Sequence, residues 1–438
     1  MSTEETRMTK ASKVTETGGV SKESGPAVAL GAVPAVDPRL LVREEGFKGY
    51  LDEFGRRMRS GELGPLPVVV GLLLIWTIFQ TMDSAFLTPE NLSNLSVDVV
   101  GTGLIAVGIV FVLLLGEIDL SVGSVSGLAG AVFAVLNIGH GVPEVPAFAL
   151  AILCGTAIGA LHGFFFARIG VPAFVVTLAG LLFWSGLMLE VLGSNGTINL
   201  DDEGFVAGLT SYYFTDIAAA YGLAAVAVAA FTAASLLDAR RRRAAGVPFR
   251  PTTEIALRAG ALAVLAFAAA WVLNQYKGLP LALVIFLAVI VALDFLLRRT
   301  AYGRKVFALG GSVEAARRAG INVARIRISV FAIAGTMAAV GGLFLASRIA
   351  SANQGAGAGN LLMNAIAAAV IGGTSLFGGR GRTWSALLGM LVIQSVVSGL
   401  ALMGIAAGIQ YMITGGVLLA AVVIDSVSRK TQKAAGRA

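Results

Sequence analysis

Seven stretches of this chain, Leu66–Met82, Val99–Gly116, Leu120–Pro143, Ile169–Leu189, Ile217–Leu237, Ser329–Ser347 and Thr383–Ile424, contain no Asp, Glu, Lys or Arg. A helix crosses the hydrocarbon of a bilayer in about 20 apolar residues, so each stretch is long enough for a span and the last for two. A bilayer admits only helices and closed barrels, because every backbone N–H and C=O must be paired within the protein. Barrel strands would alternate apolar and polar residues over about ten positions. These runs are continuously apolar, which predicts an all-α polytopic membrane protein. The balance of 56% hydrophobic to 13% charged residues agrees, since a soluble domain carries about 25% charged residues. The 55 glycines, spread through the apolar runs, suit close helix approach and local breaks.

Twelve segments are expected, near 66–82, 97–115, 120–138, 145–166, 171–190, 215–237, 258–275, 279–297, 328–347, 361–376, 384–403 and 407–425. With the N-terminus inside and the spans alternating, 31 of the 33 basic residues fall inside, leaving only Lys277 and Arg348 outside. That asymmetry is the positive-inside pattern, and it predicts both termini in the cytoplasm. It also accounts for the basic pI of about 9.7 without nucleic acid. Ten crossings replace twelve if Leu120–Leu136 or Leu361–Ile371 is re-entrant. The regions so defined are a cytoplasmic tail and surface helix (1–63), a first transmembrane half (64–237), an inserted basic loop with two apolar segments (238–297), a cytoplasmic loop (298–327), a second transmembrane half (328–427) and a cytoplasmic tail (428–438). A cleavable signal peptide is not expected, because the first apolar run begins only near Leu66.

One short echo joins the halves. Gly116-Glu-Ile-Asp-Leu-Ser-Val-Gly-Ser124 and Gly372-Gly-Thr-Ser-Leu-Phe-Gly-Gly-Arg380 both interrupt apolar runs with glycine and polar residues, and aligning Leu120 with Leu376 also aligns Gly123 with Gly379. Such corresponding breaks suggest a two-fold internal repeat with broken or re-entrant segments.

The loop between Thr300 and Ser329 holds a short helix with both ends marked. Ser312 is placed to cap it, Glu314 lies in its first turn, Arg317 and Arg318 in its last, and Gly320 at the left-handed C′ position. Two turns persist in water only when docked, so the loop is read as an anchor on anionic lipid or as a helix seated in a cytoplasmic partner. The run Gly303-Arg-Lys-Val-Phe-Ala-Leu-Gly-Gly311 followed by Glu314-Ala-Ala-Arg-Arg-Ala-Gly-Ile321 resembles the loop by which ribose/xylose/galactose-type ABC permeases engage their ATPase. The resemblance extends through Gly116–Ser124, Ala368–Gly379 and the C-terminal apolar pair, and the 238–297 insert is similar to the xylose-permease branch. It implies an ATPase-coupling role for Gly303, Arg304, Ser312, Glu314, Arg317, Arg318 and Gly320. It also implies a homodimeric pathway, a separate ABC ATPase subunit that uses the ATP, and an extracellular or periplasmic sugar-binding protein.

Carboxylates near the hydrocarbon face a cavity or a partner, which makes Glu117 and Asp119, with Ser121 beside them, pathway candidates. Capping of the helix that begins near Ser121 explains the two acids as well. Asn353, Gln354, Asn360, Asn364 and Gln394 could pair with sugar hydroxyls or with neighbouring helices. His162, Trp184 and Glu190 are read as packing or interface residues. No G-x-x-x-x-G-K-[ST] loop, metal-ligand spacing or nucleophile elbow occurs, so no cofactor, metal or catalytic site is expected in this chain. The expected function is the permease subunit of an importer for a monosaccharide, D-xylose or a related sugar, in a bacterial inner membrane. The alternative is an ion-gradient-driven secondary transporter, disfavoured by the lack of coupling carboxylates beyond Glu117 and Asp119.

Overall fold

A computed structural model describes residues 66–434 except Pro248. The expected tail and surface helix of 1–63 lies outside the described residues. The chain is helical nearly throughout, in the order α1 (Leu66–Met82), α2 (Pro89–Leu114), α3 (Val122–Ala134, extended by a π turn to Gly139), α4 (Glu144–Phe164, extended likewise to Ile169), α5 (Ala173–Leu192), α6 (Phe205–Ser211), α7 (Ile217–Ala244), α8 (Thr252–Asn274), α9 (Leu281–Arg299), α10 (Ala301–Gly311), α11 (Val313–Arg318), α12 (Val323–Arg348), α13 (Leu361–Ile371), α14 (Trp384–Leu402) and α15 (Ala407–Ala434). Among the described residues nine helices are long and apolar enough to span a bilayer, with α1 and α13 shorter.

The all-α polytopic expectation therefore holds, and each of the twelve expected segments is a helix. Helix α13 is the exception in length. Its 11 residues cover roughly 16 Å at 1.5 Å per residue, about half of a hydrocarbon core. The segment expected to reach residue 376 stops at Gly372, whose backbone lies against Ser385 too closely for a side chain, and Gly373 turns the chain at φ 101°.

Helix α2 is the centre of the bundle, with an unbroken buried run from Val99 to Leu114. It is apolar on every side because it has neighbours on every side, α12, α13 and α14 among them. Helices α4 and α12 meet along small residues: a Cβ on Gly159 would strike the Phe331 carbonyl, and one on Gly335 would strike that of Gly155. The backbones can touch there, and Thr156 and Thr336 hydrogen-bond across the seam at 2.7 Å.

Two short antiparallel pairings tie the loops at one end of the bundle. Strand β1 (Thr197–Asn199) pairs with β4 (Ser351–Asn353), joining the chain after α5 to the chain after α12. Strand β2 (Tyr213–Phe214) pairs with β3 (Leu279–Pro280), closing the base of the α7–α8 hairpin. That hairpin has its own small core around Ala220, Ala224, Ala270 and Leu273, separate from the main one. Helix α9, by contrast, buries Phe286, Ile290 and Leu297 in the main core.

Candidate functional site

Between α3, α12 and the chain from β4 to α13 lies a cavity of about 200 Å³. Glycines and alanines make most of its wall, among them Gly127, Gly130, Gly342 and Ala346. The non-helical stretch 354–360 reaches deep enough to press the Gly357 backbone against Gly123, and that of Ala356 against Gly127. Side-chain polarity comes from Ser126, Ser351 and Asn353. Asn353 Oδ1 accepts from the Gly355 N–H at 3.0 Å and holds the turn, which leaves its Nδ2 to donate to a ligand.

Helix α13 starts beside this cavity, with Leu361 in the lining. Its N-cap Asn360 makes no side-chain capping bond, so the first-turn N–H groups lack the usual cap. Asn364 Oδ1, in that first turn, is buried without a hydrogen-bond partner. The start of a half-length helix thus offers donors and an acceptor next to a small-walled cavity. Of the expected pathway residues, Asn353 lines the cavity and Asn360 and Asn364 flank it. Gln354 sits instead in the turn that follows β4, against Gly196, and Gln394 is half-buried on α14 outside the lining.

Glu117, Asp119 and Ser121 belong to a different cluster. They lie on the connector between α2 and α3. Asp119 Oδ1 accepts from the Ser121 N–H at 2.9 Å and from its hydroxyl at 2.6 Å. Ser121 Oγ is 3.2 Å from His162 Nδ1 on α4, and Trp184 Nε1 on α5 donates to His162 Nε2 at 2.9 Å. An indole N–H can only donate, so Nε2 accepts, the imidazole proton sits on Nδ1, and Nδ1 donates to Ser121. Asp119 closes a turn on Ser121, the residue before α3, and Ser121 itself makes no side-chain capping bond to that helix. His162 and Trp184, read as packing or interface residues, lie where α3, α4 and α5 meet and form the far half of a directed hydrogen-bond chain. Glu190 is exposed on α5 and takes no part in it. Glu117, half-buried, faces Arg327 of α12. Burial raises its carboxyl above the ordinary carboxylate range, and the Arg327 charge pulls it back.

The loop after α9 forms two helices. Thr300 caps α10 by accepting from the Gly303 N–H at 3.3 Å, and Val306 and Leu309 are buried. Ser312 Oγ accepts from the Ala315 N–H at 3.2 Å and caps α11. At the other end the Gly320 N–H donates to the Arg317 carbonyl at 3.0 Å and the Ile321 N–H to that of Ala316 at 3.1 Å, with Gly320 at φ 76°. Those two bonds make a Schellman motif, the closure expected of glycine at that position. Helix α11 buries only Ala316. Glu314, Arg317 and Arg318 stand out from the surface, each arginine 3.6 Å from the glutamate. Arg304 is exposed on α10. Sequence reasoning did not separate α10, whose signal was the Val306/Leu309 spacing after a threonine cap.

The loop is not isolated. Gly310 at the end of α10 lies against the Leu114 carbonyl at the end of α2, and the Gly379 N–H donates to that same carbonyl at 2.9 Å. Gly116 packs on Phe377 and Gly378. The two glycine-rich segments that echo one another in sequence are therefore neighbours, with α10 at their junction.

Residues 91–422 match the family model described as the permease component of the branched-chain amino acid transport system. The chain is 36% identical over 366 residues to the xylose transport system permease protein XylH of Escherichia coli K12, covering 83% of this chain and 91% of that one. It is 35% identical over 376 residues to XylH of Haemophilus influenzae, covering 85% and 99%. Identity to the ribose import permease protein RbsC of Bacillus subtilis is 32% over 364 residues, covering 83% and 92%. No solved structure matches the chain. A bundle of apolar helices, a half-length helix beside a small cavity and agreement over most of the length with these permeases lead to one conclusion: the chain belongs to this family of transport permeases, as a multi-pass protein of the bacterial inner membrane.

Proposed function

We propose that this chain is the membrane subunit of a binding-protein-dependent ABC importer for a monosaccharide, D-xylose or a related sugar. Two copies form the pathway, a separate ATPase docks on the loops carrying α10 and α11, and an external binding protein delivers the sugar. Both termini and the α10–α11 loop then lie in the cytoplasm, in keeping with the basic residues gathered at that face. The β1–β4 pair and the entry to the 354–360 stretch face the opposite side.

The observation that carries this reading is α11: six residues capped at both ends, charged outward, and set on a loop whose inner helix abuts the ends of α2 and the 372–383 segment. Six residues do not hold a helix in water by themselves. Caps of this quality keep the shape ready for a partner. The cavity supports a small cargo, its volume lying below the roughly 300–1,000 Å³ of drug-sized pockets.

The test is ATP hydrolysis in proteoliposomes holding this permease, its genetically neighbouring ATPase and the neighbouring binding protein loaded with single pentoses. Stimulation by one loaded form, lost when Glu314, Arg317 and Arg318 are all replaced by Ala while membrane insertion is retained, supports the importer and names its sugar. An ATPase that neither co-purifies nor responds sinks it.

A further inference from the structure

The connector at residues 115–121 touches two parts of the molecule at once. On one side, at Leu114 and Gly116, it meets α10 and the Phe377–Gly379 turn. On the other, Asp119 and Ser121 are joined to α4 through His162 and from there to α5 through Trp184. The fold makes room for this join. Gly180, one turn before Trp184 on the same face of α5, lies so close to the imidazole that any Cβ would strike Nε2.

Every link in the chain is directional. The Trp184 N–H is given to His162, the Nδ1 proton to Ser121, and the Ser121 hydroxyl proton to Asp119, whose Oδ1 also takes the Ser121 N–H. Ser121, Asp119 and His162 are buried. Breaking any link strands a polar group away from water, so the chain resists sliding in a way apolar contacts do not. Asp119 and Ser121 are bonded to one another within their own turn. The extension across two more helices is what calls for a role.

We propose that His162 is a positioning residue for transport: it fastens the α2–α3 connector to α4 and α5, so that displacement received at the α10–α11 loop is passed to those helices rather than absorbed in the connector. This rests on the importer reading above. In the proteoliposomes described there, ATP hydrolysed and sugar imported are measured together. His162→Ala retains hydrolysis stimulated by the loaded binding protein to within about twofold, while sugar imported per ATP falls on the order of tenfold, within the range of coupling between distant sites.

Two conservative variants separate linkage from packing. His162→Asn sets its amide N–H₂ near the place of Nδ1 and keeps the donation to Ser121, so it recovers most of the ratio. His162→Gln reaches the place of Nε2 and serves Trp184 but not Ser121, so it does not. Ser121→Ala cuts the same link from the other side, leaves the imidazole in place, and reproduces the His162→Ala ratio; it decides the matter if His162→Ala fails to insert. An unchanged ratio in the Ala variants, a parallel loss of hydrolysis and import, or equal behaviour of the Asn and Gln variants overturns the assignment. A wild-type complex whose hydrolysis ignores the loaded binding protein overturns the importer reading itself, and this assignment with it.

Discussion

Single residues carry sharply different kinds of demand here. Gly320 is required by backbone geometry: at φ 76° a side chain costs about 1–2 kcal/mol, more when β-branched. Gly320→Val should open both Schellman bonds, which hydrogen exchange over residues 313–321 would report as loss of protection, with stimulation of the ATPase reduced alongside. Asn353 presents a side-chain donor on the cavity wall, where the proposed pathway would use it. Asn353→Ala should weaken uptake severalfold, as one lost hydrogen bond of about 0.5–1.5 kcal/mol implies, measured per unit of inserted protein because the Gly355 N–H also loses its acceptor. Sugar uptake that is unchanged in this variant would move the substrate path away from the α3–α12 cavity.

At the scale of the element, what was legible in the sequence was what is local in the sequence. Helix α11 could be drawn to the residue because Ser312, Glu314 and Gly320 all lie within nine positions and caps depend on near neighbours. The hydrogen-bond chain could not, because Ser121 and His162 are 41 residues apart and His162 and Trp184 are 22 apart, brought together only by how three helices pack. The polar candidates of 353–394 looked like one group in sequence, yet the structure divides them between cavity wall, β turn and a separate helix. Glycine was read as permissive of close approach without naming where. Gly159 now names it: Gly159→Leu forces α4 off α12 at the Phe331 carbonyl, and overpacking of this kind costs about 1–3 kcal/mol. A lowered Tm of the purified permease in detergent is the expected readout, and an unaltered Tm would show that the two helices are not held at this distance.

On the scale of the whole molecule, hydropathy and the basic-residue asymmetry were enough to give a bundle of apolar helices, because a bilayer leaves the backbone so few choices. They could not give its interior. Helix α2 and helix α7 read alike in sequence, yet α2 is buried for most of its length whereas α7 buries only Ala220 and Ala224. The difference follows from tertiary position: α7 pairs chiefly with α8 and otherwise offers its apolar surface outward, with Val226 and Leu237 exposed.

The strap of β2 on β3 has a consequence for how such a bundle can change over time. It sets Phe214 and Leu279 side by side, so the polypeptide leaves the bundle and re-enters it at nearly one point, with α7 and α8 enclosed between. Two crossings are an even number. Gain or loss of the pair preserves the parity of everything downstream, and neither α12 nor the α10–α11 loop would change sides. Joining Phe214 to Leu279 through a short glycine linker should therefore yield a permease that still inserts with a cysteine introduced between residues 300 and 322 accessible to a cytoplasmic labelling probe. Labelling from the opposite side would show that the hairpin helps to set orientation. Bundles with and without the hairpin can then descend from one another by a single insertion, with no passage through an inverted intermediate.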